Sequence, residues 1–258
     1  MLLTIDIGNT NIKYGVFDGE NLVASYRVSS RLTRTADEYG SVLINLLATV
    51  DIKKADITGV ILSSVIPSLN YTICHMCEYF FGITPLLVGP GIKTGINIKA
   101  DNPREVGADI IVNSVSAFTK YGGPLVVIDF GTATTFDIIS QNGTLLGVVI
   151  APGIKSSLES LTNNTAQLPT IELDAPKSVI GKTTKTSMQA GVIFGFAGLV
   201  DNIVSKIKNE LNLEEIKVIA TGGLGELIAG EVKSITTVDR TLTLQGLKII
   251  YELNKTNK

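Results

Sequence analysis

Two rhythms of apolar residues alternate along this chain, one of period two and one near 3.6. From Leu2, "LLTIDI" reads as a strand, and "NIKYGVF" follows as a second after a short polar turn. Asp18-Gly19 then turns the chain into a third strand, "NLVASYRVS". The same plan returns past the middle as "PLVVIDF" and "TTFDIIS", with Asn142-Gly143 leading into "TLLGVVIAPG". Asp6 and Asp129, near the end of each leading strand, are separated by nearly half of the 258 residues. That spacing is the scale of a duplicated domain.

Helical spacing fills the intervals. Thr35 with Glu38 forms a capping-box signature ahead of a helix to about Val50, and "GVILSSVI" then supplies a further strand. Leu69, Ile73, Met76, Cys77 and Phe80 keep helical spacing from about Leu69 to Phe81. Another helix is expected from Asn102-Pro103 through "VGADIIVNSVSAFTKYG" to Gly122 or Gly123, since proline suits a first helical turn. A long helix runs from about Thr186 toward Leu211, where Gly191, Gly195, Ala197 and Gly198 would permit close packing. The strand "IKVIATGG", a helix containing "LGELIAG" and a final helix from about Thr243 complete the chain. Interleaved α and β patterns predict an α/β protein of two similar lobes, each a mixed sheet flanked by helices. The lobes are expected over residues 1–120 and 121–258, with the C-terminal helix able to pack back on the first.

Composition narrows the function classes. With 45% hydrophobic and 18% charged residues, the chain is too apolar for disorder. A formal charge of −2 offers no broad basic field for nucleic acid, so phosphate would be held by backbone amides, a metal ion and a few side chains. The most apolar stretch, "AGVIFGFAGLV" from Ala190, meets Asp201 well before the about 18 residues of a membrane span, and predicts no membrane helix. Met1 leads directly into a strand with no basic leader segment, which predicts a cytoplasmic protein. Asn142-Gly143-Thr144 then serves as a turn rather than a sugar site.

Cys74, His75 and Cys77 lie together in "ICHMC", but the sequence holds no other Cys or His to complete a structural zinc site. A redox CxxC begins at a helix N-terminus, whereas this pair falls inside a helical run, so Cys77 reads as a core residue. "VIGKTTKT" contains Gly181-Lys182-Thr183, yet the leading glycine of a P-loop would fall on Pro176, which excludes a Walker site.

The duplicated feature carries the chemistry. A carboxylate at the end of a buried strand, followed by glycine and small hydroxyl or amide residues, sets an acceptor beside a turn whose N–H groups can approach phosphate. Two such turns, "DIGNTN" and "DFGTATTFD", would serve a nucleoside triphosphate.

Together with "NPREVGAD" from Asn102, "APG" from Ala151, "GKTT" from Gly181 and "TGG" from Thr221, these motifs resemble the type III pantothenate kinases. That family belongs to the acetate and sugar kinase, Hsp70 and actin superfamily, so the resemblance implies two ribonuclease H-like, actin-like lobes. It also implies ATP-dependent phosphorylation of pantothenate to 4′-phosphopantothenate, the first step of coenzyme A synthesis, by a homodimer with its substrate site at the interface. By position, the ATP-phosphate stretch would be Asp6, Ile7, Gly8, Asn9, Thr10, Asn11, Ile12 and Lys13, with Mg²⁺ near Asp6 and an ATP contact at Thr132. Asp129 matches the ligand of a monovalent cation, K⁺ or NH₄⁺. Asp109 matches the proton acceptor for the pantothenate hydroxyl, with Gly107 and Ala108 shaping that pocket, and Thr184 matches a substrate contact donated by the second subunit.

Two substrate-binding positions depart from the family's pattern. Ala100 and Ile110 stand where the family usually carries Tyr and Arg, both touching pantothenate. An Arg hydrogen bond to a charged ligand is worth roughly 1.5–3 kcal/mol, and Lys99, Arg104 or Lys182 would be the nearby cations to replace it. Three readings stay open: pantothenate kinase, kinase of another small alcohol such as a pantothenate derivative, and non-catalytic regulatory homologue.

Overall fold

A computed structural model describes residues 1–255 and divides the chain into two compact units. One comprises Met1–Thr119 and the segment from Leu242, the other Lys120–Thr241.

The first unit begins with β1 (Leu2–Ile7), β2 (Asn11–Asp18) and β3 (Asn21–Ser29), followed by α1 (Ala36–Ala48) and β4 (Gly59–Ser64). Then come α2 (Pro67–Phe81), the short strands β5 (Leu86–Leu87) and β6 (Asn97–Ile98), and α3 (Ala108–Tyr121). The sheet order is β3-β2-β1-β4-β5, antiparallel from β1 through β3 and parallel at β1-β4 and β4-β5. Period-two alternation sends Leu3, Ile5 and Ile7 to the face covered by α1 and α2, where Tyr39, Leu43, Ile73 and Met76 complete a core. The opposite face presents Leu2, Thr4 and Asp6. Ile61 of β4 packs there with Val112 and Val115 of α3 and with Leu247 and Ile250 of the C-terminal helix, Leu242–Asn254.

In the second unit, β7 (Leu125–Phe130), β8 (Ala133–Ile139) and β9 (Thr144–Pro152) lead into α4 (Ile154–Asn163) and α5 (Thr184–Glu210). β10 (Lys217–Gly222), α6 (Gly225–Ala229) and β11 (Thr237–Val238) follow, which makes the C-terminal helix α7. The strands run β9-β8-β7-β10-β11, with β7-β8 and β8-β9 antiparallel and β7-β10 and β10-β11 parallel. The order and sense of these five strands reproduce those of the first sheet. Val126, Ile128 and Phe130 meet α4 and α5 in the second core, while Val127 and Asp129 alternate onto the other face.

Several expectations hold with shifted ends. Thr35 caps α1 in a complete capping box, its backbone N–H donating to Glu38 Oε2 at 2.7 Å. Cys77 is fully buried in the first core, and that burial pushes its thiol up to about 12, helped by the neighbouring Cys74 and Glu78 charges.

The expected continuous helix from Asn102-Pro103 is corrected: Pro103–Glu105 forms one 3-10 turn, and α3 starts only at Ala108. Asn102 caps the short turn through Arg104 N–H, and Val106 is extended, so the two pieces are separate. The long helix expected from about Thr186 toward Leu211 is present as α5, Thr184–Glu210. The apolar stretch at Ala190 lies within α5, whose 27 residues are long and apolar enough to cross a membrane by length and composition. Ile193, Phe196, Val200 and Val204 of α5 are packed in the second core. The helix α4 is an addition to the expected elements, with Ile154 and Leu158 after Gly153 carrying its apolar face.

Candidate active site

The first half of the site grows from the β1-β2 hairpin. Ile7 and Ile12 are the last paired residues, and both side chains are fully buried, so their part in the turn is to anchor it. Between them the chain turns at Gly8, whose N–H donates to Asn11 C=O at 3.0 Å, leaving Asn9 and Thr10 exposed. Ser30, just beyond β3, holds this turn twice. Its N–H donates to Thr10 C=O at 3.0 Å and its hydroxyl to Gly8 C=O at 2.6 Å.

Asp6 stands one residue before the end of β1 and is 4% exposed. In register it has Lys13 of β2 on one side and Ser63 of β4 on the other. Lys13 Nζ lies 3.4 Å from Asp6 Oδ2, and Ser63 Oγ donates to Asp6 Oδ1 at 2.8 Å. Buried carboxylates need such donors, because taking an unmatched anion out of water is strongly unfavourable.

Asp109 occupies the first turn of α3, where the helix dipole favours a negative charge. Its Oδ1 accepts from Ile110 N–H at 2.9 Å. A Cβ at Gly107 would sit 2.5 Å from that same oxygen, so glycine there is what lets the carboxylate fold back over its own backbone. Ala108 is half-buried, and Ala100 is half-buried after β6. Ile110 is 9% exposed, its side chain turned into the unit rather than offered to solvent. Lys99 and Arg104 are exposed.

The second unit repeats the construction with other side chains. Asp129 again stands one residue before the end of the central strand, with Thr135 of β8 and Thr221 of β10 opposite it in register. At the turn, Gly131 N–H donates to Ala133 C=O at 3.0 Å, and the carbonyl of exposed Thr132 accepts from Ser156 Oγ at 2.9 Å. Ser156 thus holds the second turn as Ser30 holds the first. Gly222 has φ +92°, and a Cβ there would lie 2.5 Å from Asp129 Oδ1. Gly222 of "TGG" therefore opens the space that the Asp129 carboxylate occupies. Asp137 is fully buried further along β8, on the same face as Asp129.

Thr184 is exposed in the first turn of α5. Thr183 caps that helix together with Thr186, whose Oγ1 accepts from the N–H groups of Lys182 and Thr183 at 3.1 and 3.0 Å.

Within the first unit, Asp6 through Lys13 gather at one turn and Asp109 at a helix start; within the second, Asp129 and Thr132 flank another turn. Sequence reasoning misses Ser63, Ser30 and Ser156. The polar pair in "GVILSSVI" is the only signal for Ser63, and strand register alone shows which aspartate it serves.

Two sheets of one topology, each closing its central strand with a clamped Asp-x-Gly turn, define a two-lobed, actin-like α/β protein. Solved structures share this fold. A candidate 2-dehydro-3-deoxygalactonokinase from Sinorhizobium meliloti matches with TM-score 0.66 at 11% identity, covering 100% of this chain and 98% of that one. A Baf-family transcriptional activator candidate from Campylobacter jejuni matches with TM-score 0.62 at 21% identity and 98% coverage of both chains. Component A of the (R)-2-hydroxyglutaryl-CoA dehydratase of Acidaminococcus fermentans matches with TM-score 0.56 at 15% identity, covering 100% and 99%. The family model for type III pantothenate kinase matches residues 2–206, and the chain belongs to that family.

Proposed function

We propose that this protein transfers the γ-phosphoryl group of ATP to the 4′-hydroxyl of pantothenate, as the first step of coenzyme A synthesis. The observation that carries the reading is that the family match encloses Asp6, Asp109, Asp129 and Thr184 together. The duplicated turns support it by giving Asp6 and Asp129 the same backbone setting.

In this reading the exposed turn at Asn9 and Thr10, with Lys13, receives the ATP phosphates, and Thr132 has the ATP-contact role that its family position implies. The pantothenate hydroxyl oxygen attacks the γ-phosphorus, the bond to the bridging oxygen of ADP breaks, and the proton passes to Asp109. Such transfer runs through a loose transition state that needs alignment and charge neutralisation more than a strong base. Asp109 suits this role because Gly107 leaves its carboxylate room and the first turn of α3 is a favourable place for a negative charge.

Asp6 supplies hard oxygen ligands of the kind Mg²⁺ takes alongside phosphates and water. Among the described residues, no group of three His, Cys, Asp or Glu side chains could hold a metal by itself, so an ion at Asp6 would share its ligands with nucleotide. Mg²⁺ bound there would neutralise charge on the β- and γ-phosphate oxygens. Asp129, in the space that Gly222 leaves, would hold K⁺ or NH₄⁺ through its carboxylate.

A cytoplasmic homodimer, with Thr184 reaching the partner's substrate, belongs to the same proposal. Its support is the exposed face of α5, where Gly191, Gly195 and Gly198 have open space beyond the backbone. The reach of a second copy there is checked by the mass in solution of Gly195→Leu against the parent.

The residue at Ile110 favours one further reading, a kinase for another small alcohol, because the family's usual Arg contact is absent. The deciding experiment is turnover of pantothenate with Mg-ATP, with and without K⁺, the product identified by mass. Asp109→Asn run beside it should lose about 10²–10⁴ in rate while keeping its far-UV spectrum. Product from a different alcohol selects the second reading. Nucleotide binding without product from any alcohol selects a regulator, the kind of protein named for the Campylobacter neighbour.

A further inference from the structure

We infer that Ser63 is the positioning residue for Asp6, holding one carboxylate oxygen so that the other faces Lys13 and the nucleotide-bound cation. The inference rests on the proposed Mg-ATP role of Asp6.

Ser63 is 0% exposed on β4, level with Asp6 across a parallel pair, and its hydroxyl donates to Asp6 Oδ1 at 2.8 Å. Lys13 approaches the other oxygen, Oδ2, from the opposite strand at 3.4 Å. The three side chains form one row across the sheet, Lys13-Asp6-Ser63. A carboxylate whose two oxygens are claimed from opposite sides has one preferred rotation about its terminal bond, a torsion that is otherwise broad. Without the serine donor, both oxygens are free to turn to the lysine, and the cation loses a ligand held in place.

A second observation points the same way. The second unit carries Thr221 on β10, also nearly fully buried, at the register position opposite Asp129. A hydroxyl beside the strand-end aspartate therefore recurs at the equivalent position of both sheets, although the flanking residues differ. Supporting groups of this kind fix the orientation of metal-binding carboxylates and shift metal affinity about 10–100-fold.

The test measures binding of Mn²⁺ by its electron paramagnetic resonance signal with a non-hydrolysable ATP analogue, in the full chain, beside steady-state kinetics over a Mg²⁺ series. Ser63→Ala should weaken nucleotide-dependent Mn²⁺ binding about tenfold, raise the Mg²⁺ needed for half-maximal rate to match, and leave the alcohol KM unchanged. Ser63→Cys, which keeps the side-chain shape with a slightly larger atom but donates weakly, should fall between, and it replaces the alanine variant if that one does not fold. In an Asp6→Asn background, Ser63→Ala should add no further loss of Mn²⁺ affinity. Parent-like Mn²⁺ affinity in folded Ser63→Ala, or a full independent loss in the Asp6→Asn background, overturns the positioning role and leaves the kinase reading standing. Absence of nucleotide-dependent Mn²⁺ binding in the parent overturns both.

Discussion

The row Lys13-Asp6-Ser63 in the first sheet and the row Thr135-Asp129-Thr221 in the second occupy the same register of the same topology and differ by one charge. In the first, a lysine lies beside the aspartate; in the second, the flanking positions are two threonines. One backbone plan thus carries two different sets of flanking side chains. Under the proposed function, a row with a lysine beside an exposed turn would serve a polyphosphate carrying its own divalent cation, and a row without one a bare monovalent cation. The turns are alike in that Ser30 and Ser156 each donate to a turn carbonyl, which fixes the backbone at both.

The strongest way to break this contrast is to neutralise the two carboxylates in turn. Asp6→Asn should lower kcat/KM for Mg-ATP about 10²–10³-fold, the scale of losing one fixed electrostatic contact, while residual activity still responds to K⁺. Asp129→Asn should instead lose the K⁺ response and keep an ordinary Mg²⁺ dependence. Identical Mg²⁺ and K⁺ profiles in the two variants would show that the rows are not specialised.

A transplant sharpens the comparison further. Thr135→Lys gives the second row the charge pattern of the first, and it should weaken half-maximal activation by K⁺ about tenfold, or roughly 1.4 kcal/mol. The Mg-ATP KM at saturating K⁺ should stay within about twofold, well under that step. An unchanged K⁺ response would mean that the charge of this row does not govern the cation.

The smallest effect is expected where a charge in the second unit serves structure. Lys120 Nζ donates to Asp239 Oδ2 at 2.7 Å and Tyr121 Oη to the same oxygen at 2.9 Å, while Thr241 donates to Oδ1. Burial alone would raise the Asp239 carboxyl, but these donors together hold it below its ordinary range. The hydrogen bond to Asp239 holds the Lys120 amine above its ordinary range, against partial desolvation. Asp239 therefore adds stability above the ordinary carboxylate range and loses it as pH falls through its lowered value. Lys120 adds stability below the ordinary lysine range and loses it as pH rises through its raised value. Asp239→Asn should cost about 1–2 kcal/mol in urea unfolding near neutral pH, since solvent screens the exposed amine, and the deficit should shrink in acid. A deficit that does not change with pH would assign the cost to packing.

Much of this is legible in the chain itself. Period-two runs ending in Asp, the Asp18-Gly19 and Asn142-Gly143 turns and the Thr35 capping box depend on neighbours within a few residues, so local sequence specifies them. The break before α3 is not legible, because Pro103 opens a short turn as readily as a long helix, and Val106 takes an extended backbone that ends it. The buried state of Ile110 is likewise hidden, since a residue next to an aspartate in a first helical turn gives no local sign of which way the helix faces.

Sequence alone determined the duplication, the two strand-end aspartates and the glycines beside them, because strand alternation and turn geometry are short-range properties of a chain. Only tertiary structure decided that Ser63 meets Asp6, that Thr221 stands level with Asp129 and that Gly222 makes room for its carboxylate. These pairs are joined by parallel strands whose connection passes through helices, so their register is set by the packing of whole layers and not by any neighbouring residue.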